Sequence, residues 1–496
     1  MRKTGINFKK ILEALKKKKK HVLIGLSAAA VLTACIVGAV ILFQEEEAAE
    51  PSLEEVLEEK LNAYETDLRD SLGSLNTNED VADYLLTWAK NKEIPATRDD
   101  AGNVIFTVKA SKNAENAQPA AVLCSFDADN MEQHVEEMAV ALCVAKNAVN
   151  HGKLSVVFLA AEGGQQTGAQ NLDAGHFSDD TAVFCLGSSA GARVSTTTGG
   201  CSRIEITHSL KYRKPSYTRA YRITLKNCPS QILDGTVDSV PNPIKILGNV
   251  LANFKSTSLL FELSSFHGGK SSDFTPSSAS MTVVINENDE EAFLRKMDNS
   301  IEKIYDKYQE DYPEIEYTYE ETDLPSRVLK TSDTDNLVSL MYTAFDGVHE
   351  RDEDGVVISL TNIGKISCKN RKLKIQISAM SSSQLLLDEI CESYETICGL
   401  CDVKYHLKEQ YPVFDGLSGR ATGKTEALLD SFEAAFTGFT GDSSMKVEDT
   451  AVLTPCTMLK EKNDSLPVLF LGVTEKTKHK YAGAIVTWMD QGTEEE

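Results

Sequence analysis

Residues 120–126 (AAVLCSF), 154–161 (LSVVFLAA) and 181–187 (TAVFCLG) are three short, almost uninterrupted apolar runs. Such runs are typical of strands that are buried on both faces of a mostly parallel sheet. Helical spacing of apolar residues at 81–92 (VADYLLTWAKNK) and 131–152 (MEQHVEEMAVALCVAKNAVNHG) predicts helices between or beside these strands. The alternation of helices with buried strands predicts an α/β domain.

The middle of the chain has a different pattern. Four segments alternate apolar and polar residues: YRITLKN (221–227), SMTVVI (280–285), GVVISLT (355–361) and LKIQISA (373–379). This alternation predicts an antiparallel sheet that is covered on one face. The helix–strand pattern returns near residue 424, with the apolar strand LPVLFLG at 466–472. The sequence therefore predicts an α/β domain that is split by an inserted α+β domain.

An uncharged apolar stretch, VLIGLSAAAVLTACIVGAVILF, occupies residues 22–43. As a helix it would be about 33 Å long, enough to cross a hydrocarbon core of ~30 Å. Five lysines (16–20) precede it and three glutamates (45–47) follow it, which predicts a cytoplasmic N-terminus and a body outside the cytoplasm. We therefore expect a single-pass protein of the cell membrane. A lipoprotein signal ending at Cys35 and a cleaved signal peptide are the two alternatives.

The predicted boundaries follow from these patterns. They are a basic cytoplasmic tail (1–20), a transmembrane helix (21–43), an acidic stalk (44–60), the split α/β domain (61–199 and 414–496) and the inserted domain (200–413).

The composition limits the function classes. A chain of 496 residues with 42% hydrophobic and 25% charged residues can form two or three globular domains, and it is neither collagen-like nor wholly disordered. The formal net charge is −23, although residues 1–20 are basic. Because an acidic body repels phosphate backbones, we expect no nucleic-acid partner.

The cysteines do not indicate a zinc site. Cys398 and Cys401 form a CxxC motif, with Cys391 seven residues before it, but no second pair occurs at a suitable spacing. We interpret them as core cysteines near a helix end, and a local disulfide is the alternative.

Acidic residues follow two of the predicted parallel strands. Asp127 and Asp129 come directly after the first strand, and Glu162 follows the second. Ligands bind beyond the carboxyl ends of such strands, where carboxylates suit metal ligation or general-base catalysis. Solvated loop acids are the alternative. His134 and His267 are isolated in the sequence, so we expect them to be ordinary core or surface histidines.

Six segments resemble, in order and spacing, the bacterial aminoacyl-histidine dipeptidases, also called Xaa-His or cytosol non-specific dipeptidases. They are VADYLLTWAKNKEIPATRDDAGNVIF (81–106), TTTGG (196–200), ITLKN (223–227), FHGGKSSDFTP (266–276), YPVF (411–414) and LFLGVTEKTKH (469–479). This family belongs to the superfamily of two-zinc aminopeptidases, carboxypeptidases and aminoacylases. The resemblance covers nearly all of residues 60–490. It implies a metallopeptidase-like domain split by a lid domain that can also form a homodimer.

The resemblance implies a role for each position of the first zinc motifs. Asp127 matches the aspartate that orients a ligand histidine, but Ser125 stands in place of that histidine. Asp129 matches the metal-bridging aspartate only if a connecting loop is deleted. When the following helix is aligned instead, Gln133 takes the bridging position.

The later motifs have lost further ligands. Glu162 matches the general base and His479 matches the final ligand histidine, whereas Gly187 replaces a ligand aspartate. The family's late His-Ala-Gly-Leu-Glu motif has become residues 450–454 (TAVLT), and Gly163 replaces the glutamate ligand that follows the base. In the lid, the histidine and the arginine that contact substrate in the family fall near Ile232 and on Met380.

The surviving set is therefore Asp127 and Glu162 as vestigial catalytic residues and His479 and Asp129 as vestigial metal ligands. A catalytic zinc needs three protein ligands and an open position for water, so we expect no cofactor. The sequence predicts a membrane-anchored pseudopeptidase that binds a peptide or protein in the cleft between core and lid. The alternatives are a zinc-dependent dipeptidase or amidohydrolase with a reduced metal site, and an anchored structural scaffold.

Overall fold

The computed structural model describes residues 52–162, 165–188, 191–233 and 237–493. The predicted tail and membrane span, residues 1–20 and 21–43, lie outside the described residues. Leu57–Glu496 forms one compact unit. No helix within the described residues is long and apolar enough to cross a membrane.

Eleven α-helices and twenty strands are described. The helices are α1 (Leu53–Ser71), α2 (Asn78–Asn91), α3 (Val135–Asn147), α4 (Thr167–Asn171), α5 (Pro243–Ser256), α6 (Glu290–Tyr308), α7 (Thr331–Thr343), α8 (Gln384–Leu400), α9 (Thr422–Thr440), α10 (Pro455–Lys462) and α11 (Lys478–Gln491). The strands are β1 (Ala96–Arg98), β2 (Val104–Val108), β3 (Ala120–Phe126), β4 (Leu154–Ala160), β5 (Ala182–Gly187), β6 (Val194–Ser195), β7 (Thr197–Ser209), β8 (Tyr212–Arg213), β9 (Arg219–Lys226), β10 (Phe261–Gly268), β11 (Ala279–Ile285), β12 (Glu316–Thr322), β13 (Val328–Leu329), β14 (Gly347–Arg351), β15 (Val357–Lys369), β16 (Lys372–Ser381), β17 (Lys404–Tyr411), β18 (Phe414–Asp415), β19 (Thr450–Leu453) and β20 (Val468–Gly472).

The first sheet has seven strands in the order β1-β2-β4-β3-β5-β20-β6. Its centre, β4-β3-β5-β20, is parallel, whereas β1, β2 and β6 pair antiparallel at the edges. The predicted mostly parallel sheet is thus a mixed sheet with a parallel centre. The cause is the short β1–β2 hairpin, which reverses direction before β2 pairs with β4. Strands β3 and β4 are buried along their whole length, as parallel strands between two helical layers must be.

Helix α3 explains how one face of this sheet is covered. The predicted helix over residues 131–152 is shorter, because residues Ala128–His134 form a 3₁₀ segment with a kink at Asn130 and α3 ends at Asn147. Ten of its thirteen residues are buried. It packs with α1, α2, α9 and α11 in one hydrophobic core on this face. Helix α1 also buries Leu57, which the sequence had placed in an acidic stalk.

The second sheet has eleven strands and contains all four strands that alternation predicted. Its main order is β12-β9-β11-β10-β15-β16-β7-β17, and these neighbours pair antiparallel. A second hydrophobic core lies between it and the helices of the inserted region. Cys398 and Cys401 are buried free thiols in this core, so the interpretation as core cysteines holds and the local disulfide is absent.

Strand β7 connects the two parts of the molecule. Its first residues pair with β18 and β19, and the rest of the strand pairs with β16 and β17. Gly199 in this strand allows close approach of β19, because a Cβ there would lie 1.8 Å from the carbonyl oxygen of Ala451. The second sheet is thereby held next to the carboxyl ends of β3 and β5, where the candidate site lies.

Candidate functional site

A small cavity lies at the carboxyl ends of the parallel strands, with a volume of about 50 Å³ for the centres of water molecules. Its walls come from both sheets and from the start of α3. The cavity collects five positions at which the dipeptidase resemblance expects a zinc ligand or a substrate contact: Ser125, Gly187, Ile232, Met380 and Thr454. The structure thus brings together residues that are more than 300 positions apart in the chain, and none of the five carries an ionisable side chain.

None of the four predicted site residues lines this cavity. Asp127 is buried, and its Oδ1 accepts a hydrogen bond of 3.1 Å from the Asp129 backbone N–H, while the Asp129 side chain is exposed. Glu162 is exposed at the end of β4, in a backbone bridge with Gln165. His479 is half-buried on α11, where its ring lies 5.5 Å from the ring of Phe439.

The side chains present do not fit the two-zinc centre that the fold family implies. In the described part of the chain, the only group of three or more metal-ligating side chains within reach of one another is Glu65, Glu136 and Glu475. This three-glutamate cluster contains none of the four predicted residues. Two cations contact this cluster: Lys478 contacts Glu65 and Glu475, and Arg69 contacts Glu65 and Glu136.

His134 and Glu137 are buried ionisable residues that line the cavity, and the sequence analysis did not assign either of them to the site. His134 Nδ1 lies 2.6 Å from Glu137 Oε1, and the two residues are 6% and 1% exposed. His134 is therefore buried as expected, but it is not isolated. We call these two residues the cavity pair.

The cavity pair leaves two polar atoms unsatisfied. Among the described residues, His134 Nε2 and Glu137 Oε2 have no hydrogen-bond partner. Other polar groups of the wall are bonded, since Ser125 Oγ donates to Gln166 Oε1 at 3.2 Å and Ser188 Oγ donates to the Gln133 carbonyl at 2.7 Å. They are two of ten buried side-chain polar atoms in the described part of the chain that have no hydrogen-bond partner.

Burial and mutual attraction act on the two pKa values. Burial alone would lower the pKa of His134, but the carboxylate of Glu137 and the hydrogen bond to it raise that pKa above its usual 6.5. Burial raises the pKa of Glu137, and His134 and the Ser188 backbone oppose this shift. Each of the two shifts favours the protonated form of its group.

A second buried ion pair borders the cavity. Asp273 lines the cavity and accepts hydrogen bonds on Oδ1 from Arg203 Nε at 2.9 Å and Ser378 Oγ at 3.0 Å. Glu409 accepts from the other side of the same guanidinium, from Nη1 at 2.5 Å. The single guanidinium of Arg203 is therefore shared between the carboxylates of Asp273 and Glu409.

The packing around Gly187 leaves no room for a larger side chain at this position. A Cβ at this position would lie 2.9 Å from two atoms of the Phe470 ring and 3.8 Å from Glu137 Oε2. Phe470 is 1% exposed and held in β20, so it has little room to move. A side chain at position 187 would therefore meet this aromatic ring.

Sequence reasoning missed Glu137 because it reads as one of several acids on an amphipathic helix. The available signal was the spacing of His134 and Glu137, three residues apart, which places them on one face of a helical segment. Their burial could not be inferred, because it depends on the second sheet closing over the start of α3.

Comparisons with known proteins support the resemblance to the dipeptidase branch of the metallopeptidase superfamily. The chain is 21% identical over 370 residues to the cytosol non-specific dipeptidase of Escherichia coli strain K12, covering 67% of this chain and 76% of that protein. The crystal structure of the aminoacylhistidine dipeptidase from Vibrio alginolyticus superimposes with a TM-score of 0.58 and 18% identity, covering 86% of this chain and 95% of that chain. No protein-family model matches the sequence.

These findings confirm the resemblance to the aminoacyl-histidine dipeptidase branch, and they correct the predicted location. The predicted location was a single-pass protein of the cell membrane with its body outside the cytoplasm. The comparisons contradict this prediction, so it is wrong. The curated relative is named for the cytosol, and no helix of the described ranges could cross a bilayer. The physical basis of that prediction, the apolar stretch at residues 22–43, lies outside the described residues.

Proposed function

We propose that this protein is a pseudopeptidase, a dipeptidase-like protein that binds a peptide or protein partner in the cleft without hydrolysing it. The observation that carries the proposal is the cavity wall. Five positions expected to carry zinc ligands or substrate contacts meet there as Ser, Gly, Ile, Met and Thr side chains. Hydroxyl, hydrogen and thioether groups do not replace the histidine and carboxylate ligands that zinc requires.

The loss of metal would remove the nucleophile. Water has a pKa near 15.7 and reaches about 7 only when zinc holds it. Glu162, the match to the family's general base, is exposed on its loop and does not line the cavity. A base in this position has no activated water beside it, so hydrolysis of a peptide bond is not expected.

Metal content and hydrolysis test the proposal together. The purified full-length protein is incubated with zinc, passed over a desalting column and analysed for metal per chain, and dipeptide hydrolysis is followed in the same sample. We expect less than ~0.1 zinc per chain and no hydrolysis above a buffer blank. One or two tightly held zinc ions per chain, with turnover that a chelator abolishes, would show that the pseudopeptidase proposal is wrong.

A dipeptidase with a reduced metal site is the second candidate, favoured by the name of the Escherichia coli relative. Substitution of the surviving residues separates it from the first. If the protein hydrolyses dipeptides, Glu162→Gln and His479→Ala should abolish turnover, because these two residues match the family's base and a ligand. Homodimer formation through the lid is a separate proposal, which sedimentation of the full-length protein would test.

A further inference from the structure

A wide, open depression lies on the second sheet, on the face away from the hydrophobic core of that sheet. It spans the neighbouring strands β9, β11, β10 and β15 and has a volume of about 520 Å³ for the centres of water molecules. Because successive side chains of a strand alternate between faces, the residues next to its lining point to the core instead: Leu225, Ala279, Ile366 and Cys368. The depression shares no lining residue with the cavity at the strand ends. We call it the sheet depression.

A row of polar side chains crosses the centre of the sheet depression. The strand register places one residue of each strand side by side: Thr224, Ser280, His267 and Ser367. Paired residues of neighbouring strands lie about 5 Å apart and point to the same face. His267 Nδ1 accepts a hydrogen bond of 3.3 Å from the Cys368 backbone N–H, so a neutral ring carries its hydrogen on Nε2. All four side chains of the row can therefore donate a hydrogen bond.

Three lysines surround this row: Lys226 of β9, and Lys365 and Lys369 of β15. Within the described residues no acidic side chain lines the depression, and neither Lys365 nor Lys369 is in an ion pair, whereas Lys226 contacts Glu316 at 2.8 Å. The chain has 74 acidic and 51 basic residues, so three lysines grouped without an acid in the lining are unexpected. Because like charges repel, an anion bound between these lysines would lower their free energy.

The His267 ring experiences the same positive charge. Burial lowers the pKa of His267, and the charge of Lys369 lowers this pKa further. The ring is therefore neutral at pH 7. The other charged side chains that line the depression with it are Lys226 and Lys365. An anion bound among the lysines would act in the opposite direction and raise the pKa of His267.

The backbone on one side of the depression is closely packed. Gly269 has a φ of +66°, and a Cβ there would lie 1.8 Å from the carbonyl oxygen of Gly364. The chain that leaves β10 is thereby held against β15, directly beside Lys365. The floor is formed by paired strands, and the ammonium groups stand on long side chains around it. Such an arrangement can adapt to an anion without moving the backbone.

We propose that the sheet depression binds the phosphate group of a small phosphorylated molecule. The lysine ammonium groups would balance the charge, and the hydroxyl groups of the row would donate to the phosphate oxygens. A phosphate monoester carries a charge of about −1.5 to −2 at pH 7 and three acceptor oxygens, whereas a carboxylate has one charge and two oxygens. The volume leaves room for the rest of the molecule. The proposal goes beyond the proposed function, because it concerns another surface and needs neither the cleft nor a metal.

Inorganic phosphate is the probe, and the full-length protein with ¹⁵N-labelled histidine is titrated at constant ionic strength, because salt screens exposed charges. The His267 ring resonances, assigned by their loss in His267→Gln, should shift with saturation in the millimolar range, as a five-atom ligand allows. The pKa of His267, measured from the same resonances, should be higher at saturating phosphate. Acetate at the same ionic strength should bind about tenfold more weakly or less, since it brings a single charge.

Lys365→Gln is the informative variant. It removes one cation from the depression, so phosphate affinity should fall about tenfold, as expected for the loss of one charge-assisted hydrogen bond. Lys365→Arg keeps the charge and should retain most of the affinity. Lys112→Gln is the matched control, because this lysine is exposed between β2 and β3 and its substitution changes the net charge equally. Its affinity should equal that of the wild type.

A linear shift with phosphate, or equal shifts with phosphate and acetate, would overturn the proposal. Equal losses of affinity in Lys365→Gln and Lys112→Gln would also overturn it, because binding would then depend on net charge alone. Once phosphate binds, a sugar phosphate and a nucleoside monophosphate distinguish the two sources of the group, since the true ligand should bind more tightly than phosphate itself. Failure of phosphate to bind leaves the pseudopeptidase proposal untouched, because metal content and hydrolysis test that proposal separately.

Discussion

Glu136 and Glu137 are consecutive residues of α3 that face two different environments. Glu136 joins the three-glutamate cluster, where its Oε1 accepts from Arg69 Nη2 at 3.0 Å. Glu137 points to the cavity, where a single histidine at 2.6 Å is its side-chain partner and one oxygen remains unsatisfied. One helix thus carries an acid that pairs with an arginine in the three-glutamate cluster and an acid with one unsatisfied oxygen at the cavity, and burial raises the pKa of both.

The cations of the three-glutamate cluster explain why it is structural. Burial alone would raise the pKa of Glu65, but hydrogen bonds from Lys478 and Arg69 hold that pKa below its usual 4.5. The two cations occupy carboxylate oxygens that a metal ion would need. The cavity pair has no second cation, so one oxygen of Glu137 remains without a partner among the described residues. The presence of several acids close together is therefore a weaker sign of function than one buried acid with a missing partner.

Gly187→Asp should produce the largest effect, and it tests whether a carboxylate at the position where the resemblance expects a zinc ligand gives zinc binding. The new side chain would overlap the Phe470 ring, since its Cβ would lie 2.9 Å from two ring atoms, and it would add a negative charge near Glu137. Overpacking costs about 1–3 kcal/mol and an unpaired buried charge about 3–5 kcal/mol. We expect a loss of at least about 4 kcal/mol in the free energy of unfolding, measured with urea, and no gain of zinc.

Gly187→Ala separates the two causes of that effect. It keeps the contact with Phe470 but adds no charge, so its loss should be about 1–3 kcal/mol. If Gly187→Asp were as stable as the wild type and bound zinc, the site would be intact apart from one residue, and the distinction between the two acidic regions would fail.

Lys478→Met should have the next largest effect, and it changes the three-glutamate cluster. Lys478 Nζ is buried between Glu65 and Glu475, and its side chain is 7% exposed. Removing one partner of a buried ion pair costs about 3–5 kcal/mol, and the remaining contact of Glu65 with Arg69 places this loss near the lower value. The urea midpoint should fall accordingly.

Lys476→Met is the matched control, since this lysine is exposed two residues earlier. Its stability should remain within about 0.5 kcal/mol of the wild type. Equal effects of the two substitutions would mean that the three-glutamate cluster does not stabilise the fold.

The sequence predicted the main architecture because that architecture depends on local patterns. Continuous apolar runs identified the parallel centre, β3, β4 and β5, and alternation identified the strands of the second sheet. The edge pairing of β2 was missed, since strand direction depends on a hairpin whose three-residue partner, β1, has no apolar pattern. The cavity pair was missed because its burial is a tertiary effect. Position-by-position matching nevertheless found the cavity walls, since Ser125 and Gly187 line one space.

The pH dependence of stability gives the smallest expected effect and tests the protonation of the cavity pair. Both pKa values of the cavity pair are raised in the folded state, so above pH 4.5 for Glu137 and 6.5 for His134 the folded protein binds more protons than the unfolded chain. Stability from the pair is therefore fully present at low pH and is lost as the pH rises through the folded-state values.

Glu137→Gln removes this contribution, because the variant has no carboxyl group at this position. His134 then keeps only the effect of burial, which lowers the pKa of its ring. The difference in unfolding free energy between wild type and variant should shrink as the pH rises from about 6 to 9, because the wild type loses this contribution and the variant does not have it. Urea unfolding at several pH values measures it, and for the control Glu132→Gln, whose side chain is 64% exposed, the difference should not change with pH. A difference that grows with pH would mean that Glu137 is an ordinary ionised carboxylate, satisfied in the same way as those of the three-glutamate cluster.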